Sequence, residues 1–291
     1  MLQPKEFDPC QQMRRPNYEL QYKRDAYLQD VELHHHDFYE IYFLVSGNVT
    51  YSIESKLCPV LPGEVLLISP RELHQVYIRP EMAVYERYVL WLDPKLIPQL
   101  STPQTDLLKA LDPADPAYRN KITMSRHMQA HIQHLMESLY RESQSEAFGT
   151  ELLQNSLLTQ LLIAINRLAE DTSDNQRENS RGDMVSDVIE YINANFAENL
   201  TLTGLADTFF VSKYHLSHKF SCRMGISINR YIRKKRLQNA RQMLAQGEKP
   251  NAVFAQCGFH DYVSFYRAFR EEYGSSPREY LQSTEKIRTL L

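Results

Sequence analysis

The run from Asp171 to Asp183 constrains this chain more than any other feature. It holds no side chain more apolar than a Thr methyl, so it cannot bury enough surface to offset the entropy lost on ordering. It is expected to be an exposed linker between residues 1–170 and residues 184–291. Each flank is long enough for its own core. Charge divides along the chain in a similar way. Residues 1–200 carry 18 Lys+Arg against 29 Asp+Glu, a net −11, whereas residues 201–291 carry 15 against 7, a net +8. A basic C-terminal part on an acidic remainder points to a polyanionic partner. No apolar run reaches the ~18 residues that a membrane span needs. The segment from Met1 to Phe7 has no signal-peptide core. Cys10, Cys58, Cys222 and Cys257 form no Cys-x-x-Cys pair, so free thiols in a cytoplasmic protein are expected.

The first part reads as short strands. Residues 39–45 are aromatic and β-branched, and Ser46, Gly47 and Asn48 break the run. Residues 49–53, 65–68, 76–78 and 84–92 follow in the same style, with Pro59, Pro62 and Gly63 read as turn punctuation. Such spacing predicts a small antiparallel barrel or sandwich over about 20–95. Five prolines between Pro94 and Pro116 disfavour long elements there. Helical periodicity then appears over 125–143, with Met128, Ile132, Leu135, Met136 and Leu139 on one face. A second helix is expected from about Glu146 to Ala169, its wide Leu stripe packing on the barrel and in part serving a dimer interface.

The second part opens on a helix whose apolar face is Val185, Val188, Ile189, Ile192 and Phe196. Two segments, 203–220 and 251–269, then resemble each other. Each predicts a short helix, a tight turn and a longer helix with Phe near its end. Ser212 and Asp261 are suited to cap the second helix of each pair, and Gly258 supplies a permissive backbone in its turn. Between them, 228–246 forms a predicted helix carrying Arg230, Arg233, Lys234, Lys235, Arg236 and Arg241. Two helix-turn-helix units on a short rigid connector fit two successive major grooves, about 34 Å apart.

Residues 184–284 resemble the DNA-binding domain of AraC/XylS-type transcription regulators. The resemblance is carried by Leu205, Ala206, Ser212, Leu216, Phe220, Gly225, Tyr231, Ile232, Arg236, Ala240, Leu244, Gly258, Phe259, Phe265, Phe269, Gly274, Pro277 and Tyr280. It implies an all-α domain in which Tyr214, Ser217 and His218 of the first recognition helix face base edges. Tyr262, Val263, Tyr266 and Arg267 do so from the second. Lys213, Lys219 and Arg223 are expected at phosphates, while Leu216, Phe220, Phe265 and Phe269 face inward.

His34, His36, Glu40 and Gly47 match the spacing of the first cupin motif, and Pro62, Gly63 and His74 loosely resemble the second. Cupins are small β-barrels, in agreement with the strand pattern. Three imidazoles and a carboxylate have the donor types of a divalent metal site. Sensor cupins joined to this kind of DNA-binding domain often keep such histidines without metal. The expectation is therefore no resident metal or cofactor, and an effector pocket formed by His34, His36, Glu40, His74 and Tyr42. Tyr39, Tyr42 and Trp91 are candidates to stack on a sugar. The implied protein is a non-enzymatic, effector-controlled regulator, an activator by family precedent. Its expected partners are double-stranded DNA, a small molecule such as a carbohydrate, a second copy of the chain and, as a further candidate, RNA polymerase. The competing readings are a metal-dependent cupin enzyme fused to a DNA-binding domain and an architectural DNA binder without ligand response.

Overall fold

Residues 41–44 are almost completely buried, with both faces of the strand covered. This is why they form a continuous apolar run and do not alternate with polar residues. The computed structural model describes residues 11–25, 31, 33–54, 56–70, 72–78, 84–115, 118–173 and 184–282. Its contacts group the chain into two compact units, Met1–Ser180 and Arg181–Leu291.

The first unit is a two-sheet antiparallel, cupin-like β structure. One sheet has the order β1 (Tyr18–Asp25), β7 (Tyr85–Leu92), β2 (Tyr39–Ser46), β5 (Val65–Ile68) and β8 (Lys121–Ile122). The other has β4 (Lys56–Val60), β3 (Val49–Ile53) and β6 (His74–Ile78). Tyr42, Leu44, Leu66, Ile68, Val89 and Trp91 of the first sheet pack with Tyr51, Ile53, Val60 and Val76 of the second. The opposite face of the larger sheet, with Ile41, Phe43, Val65, Leu67 and Leu90, packs against helices. Short α1 (Leu96–Leu100) and a 3-10 turn at Lys109–Leu111 lead into α2 (Arg126–Glu142) and α3 (Thr150–Ser173). Ser125 caps α2 by accepting from the Met128 amide, and the predicted stripe Ile132, Leu135, Met136 and Leu139 is its buried face.

Three expectations change here. Pro59 does not end a strand but lies within β4, at the edge of its sheet, where a missing N–H breaks no ladder. α3 starts at Thr150, four residues after the expected Glu146, and runs through Ser173, so the first three positions of the expected linker are helical. The remainder, 174–183, lies outside the described residues, as does Cys10. Cys58, Cys222 and Cys257 carry free thiols. Among the described residues no helix is long and apolar enough to cross a membrane.

The second unit is all-helical: α4 (Met184–Asn195), α5 (Leu202–Thr208), α6 (Lys213–Met224), α7 (Ile228–Ala245), α8 (Pro250–Gln256) and α9 (Tyr262–Tyr273). α5–α6 and α8–α9 are the two helix-turn-helix units. Their turns share one hydrogen-bond scheme. The Val211 amide donates to Ala206 O at 3.0 Å and the Phe210 amide to Asp207 O at 3.3 Å. In the second unit the Phe259 amide donates to Phe254 O and the Gly258 amide to Ala255 O, both at 3.0 Å. This double closure satisfies the last helical carbonyls and requires a left-handed residue at its centre. Gly258 takes that position at φ +78°, while in the first unit Phe210 takes it at φ +54°. Ser212 and Asp261 then cap α6 and α9 by accepting from the His215 and Ser264 amides at 3.2 and 2.7 Å.

Two glycines separate backbone strain from crowding. Gly258 and Gly274 both have positive φ, but a Cβ on Gly258 would lie 2.6 Å from the Ala197 carbonyl oxygen, whereas one on Gly274 would meet nothing within 4 Å. Gly274→Ala is expected to cost about 1–2 kcal/mol, the left-handed penalty alone. Gly258→Ala should cost more, because the 196–198 loop must also move. Denaturant unfolding of both variants checks this, and equal losses would refute the close approach.

Candidate functional site

The start of β2, the start of β6 and the segment before β2 bring His34, His36, Glu40 and His74 together, all buried. His34 and His74 exchange backbone hydrogen bonds of 3.0 and 2.9 Å, and their rings lie 4.2 Å apart. His36 stacks on Phe38 at 4.0 Å. Its Nδ1 is 2.9 Å from the Phe38 carbonyl oxygen, and Nδ1 of His74 is 2.8 Å from that of Glu72. A carbonyl only accepts, so each Nδ1 carries the proton and donates. Each Nε2 is thereby left toward the cluster. His36 Nε2 faces Glu40 Oε2 at 3.4 Å, and the Trp91 indole N–H donates to that same oxygen at 2.9 Å. The donor atoms of His36, Glu40 and His74 all lie within 4.8 Å of one another.

Burial pushes the His74 imidazole down to about 4, and the neighbouring His36 adds to the shift, so His74 is neutral at pH 7. Burial alone would raise the Glu40 carboxyl. A hydrogen bond from His36 and the positive charge of the surrounding imidazoles, which both require protonated rings, would outweigh it and hold Glu40 well below the usual carboxylate range.

Tyr42 lies two residues beyond Glu40 on the same face of β2. Its hydroxyl donates to Tyr85 Oη at 2.8 Å, and its ring is 5.0 Å from that of Tyr51. Burial raises all three phenol pKa values, so the group is a neutral hydroxyl cluster between the sheets. Tyr51 and Tyr85 were missed in the sequence because a buried Tyr on a strand reads as core. Tyr39 points the other way, against the helical layer, and is not part of this site.

On α6, Lys213, Tyr214, His218 and Lys219 are exposed, and Ser217 and Arg223 are half-buried. The Tyr214 and His218 rings lie 6.0 Å apart at 20°. Leu216, Phe220 and Met224 form the buried face. On α9, Val263 and Arg267 are exposed, while Tyr262 and Tyr266 are half-buried. Tyr262 packs edge-on against Phe254 and Phe265, both at 5.9 Å, which limits its reach. Val263, Tyr266, Arg267, Arg270 and Glu271 line an open groove on the outer face of α9.

The connector helix α7 uses much of its basic charge in contacts with its neighbours. Arg236 donates through Nε to Phe196 O at 2.8 Å and through Nη2 to Glu198 O at 2.7 Å. Lys234 is buried and pairs with Glu272 at 2.5 Å. Arg233 lies 3.4 Å from Glu271, and Arg241 donates to Tyr280 Oη at 3.1 Å. Much of this positive charge is therefore engaged inside the unit.

Comparison with known proteins agrees with both halves. Residues 18–162 match a family model described as an AraC-like ligand binding domain, and residues 205–283 match one described as a helix-turn-helix domain. The chain is 26% identical over 245 residues to the uncharacterized HTH-type transcriptional regulator YbfI of Bacillus subtilis, covering 82% of this chain and 83% of that one. It is 25% identical to the HTH-type transcriptional activator RhaS of Escherichia fergusonii, covering 87% and 88%. It is 27% identical to the arabinose operon regulatory protein of Escherichia coli, covering 77% and 74%. With a ligand-binding-type β unit and a doubled helix-turn-helix unit in one chain, this protein belongs to the AraC-type family of DNA-binding transcriptional regulators.

Proposed function

We propose that this protein is an effector-controlled transcription activator that binds a small polar molecule, a carbohydrate, in its β unit and binds DNA as a homodimer. The observation that carries the DNA half is the pair of turns with one hydrogen-bond scheme, each presenting a capped helix with an exposed outer face. Tyr214, Ser217 and His218 read one major groove and Tyr262, Val263, Tyr266 and Arg267 the next, with Lys213, Lys219 and Arg223 at phosphates. Arg267 suits guanine O6 and N7, and Val263 a thymine methyl. His34, His36, Glu40, His74 and Tyr42 form the effector site, supported by their burial together and by the hydroxyls of Tyr51 and Tyr85. The relatives named for activation and for the arabinose operon support activation and a sugar effector. Exposed Phe148, Leu152 and Leu153 before and at the start of α3 support the dimer. The effector acts by its differential affinity for two arrangements of the chain, and the active form recruits RNA polymerase. The competing enzyme reading gains no support from these relatives, which are named as regulators.

Selection of preferred sites from random DNA tests the division of labour. Arg267→Ala should relax preference in one half of the site by about 1–3 kcal/mol and leave the other half unchanged. Lys219→Ala should weaken all sequences alike and lower the salt slope by about one. Preference lost across both halves with Arg267→Ala would contradict the assignment. Arg236→Ala should instead leave sequence preference intact and lower stability by roughly 1.5–3 kcal/mol, the scale of a charge-assisted hydrogen bond.

A panel of pentoses and hexoses, screened by thermal shift, tests the effector. A sugar at about 100 times its Kd should add ~2.7 kcal/mol of stability, and Tyr42→Phe should reduce the shift. A shift that is unchanged by Tyr42→Phe would place the sugar elsewhere, and no shift from any sugar would refute the effector class.

A further inference from the structure

His36 and Glu40 pose an electrostatic problem. His36 is completely buried, and its Nδ1 proton is committed to the Phe38 carbonyl. In the neutral ring, Nε2 is a lone pair facing a carboxylate oxygen at 3.4 Å. Two acceptors do not attract each other, so a cation belongs between them: either a second proton on His36 or a metal ion. His74 offers a second buried Nε2 with no hydrogen-bond partner among the described residues. A proton between His36 and Glu40 would leave that atom unsatisfied, at a cost typical of a buried polar group without a partner. A metal ion would satisfy both nitrogens and the carboxylate at once.

We propose that the β unit binds one divalent first-row transition-metal ion through Nε2 of His36, Nε2 of His74 and the Glu40 carboxylate. This goes beyond the regulatory reading and does not depend on it. It also departs from the metal-free expectation, which came from the family resemblance and not from these side chains. Two imidazoles and a carboxylate are a donor set of zinc and non-haem iron sites, and three protein ligands leave a coordination position open. The surroundings fit as well. Both histidines donate Nδ1–H to backbone carbonyls, the arrangement that fixes the tautomer of a metal-ligating imidazole. Trp91 holds Glu40 by the oxygen that faces His36. Ligands of a tetrahedral ion with bonds of about 2.0–2.1 Å stand ~3.4 Å apart, which His36 and Glu40 already match. The three donors lie within 4.8 Å, so closing the set asks for a shift on the order of 1 Å.

The test uses the full chain, stripped with a chelator, desalted, incubated with Zn²⁺ and gel-filtered, with metal counted per chain by mass spectrometry. Glu40→Gln keeps the shape and an acceptor for Trp91, and His74→Gln is a second, independent variant. Circular dichroism identifies any variant that fails to fold. Cys222→Ser controls for the exposed Cys222 and His218 pair, whose Sγ and Nε2 are 3.7 Å apart. The wild type and Cys222→Ser should retain about one ion per chain. Each folded ligand variant should bind at least about tenfold more weakly, since outer-shell changes alone cost 10–100-fold. Wild type without retained zinc would assign the gap to a proton and overturn the site. So would zinc held equally by Glu40→Gln and His74→Gln, or zinc lost only in Cys222→Ser.

Discussion

Arg236 reaches from the middle of α7 to the carbonyls of Phe196 and Glu198, and the same short loop presses Ala197 O against Gly258. The loop that leads into the first helix-turn-helix unit is thus held by the connector helix and lies against the turn of the second. Lys234, buried on α7, is fixed to Glu272 of α9. Tyr231 adds a bond from its hydroxyl to Asn193 Oδ1 of α4 at 3.2 Å. The separation of α6 and α9 depends on this junction, because it ties the loop before the first helix-turn-helix unit to the connector helix and to the turn of the second. Gly258 is required there twice over, once by its left-handed backbone and once by the missing Cβ.

In the β unit the corresponding constraint is the double-faced burial of β2. Strand alternation sends Ile41 and Phe43 toward the helices and Glu40 and Tyr42 between the sheets. A carboxylate and a phenol are thereby carried into a dry interior, where each must find a partner. The partners are the Trp91 N–H for Glu40 and the Tyr85 hydroxyl for Tyr42. A strand bearing polar groups at such positions sacrifices apolar packing, and that sacrifice marks the site.

Much of this was legible in the sequence wherever a local rule acts alone. The caps at Ser212 and Asp261, the stripe of α2 and the paired helix-turn-helix segments depend on short-range spacing, which tertiary contacts reinforce. The cupin-type spacing brought His34, His36, Glu40 and His74 to one place. What escaped depends on context. Pro59 is compatible with β4 only because that strand is an edge. Charged β1, with Lys23, Arg24 and Asp25, has no strand signature except through its pairing with β7. The partners of the basic residues of α7, namely Glu271, Glu272 and the carbonyls of Phe196 and Glu198, lie far off in sequence, and composition does not reveal them. Phe210 adopts the left-handed conformation that sequence reasoning reserves for glycine, imposed by the turn closure on both sides of it.

In the proposed reading, one chain places α6 and α9 in two successive major grooves at a separation fixed through α7. Hydroxyl-radical footprinting of the full protein on a duplex carrying a single half-site tests it most directly. Two protected patches on one face of the DNA, centred about 10–10.5 base pairs apart, are expected. A single protected patch, or two patches on opposite faces, would contradict it.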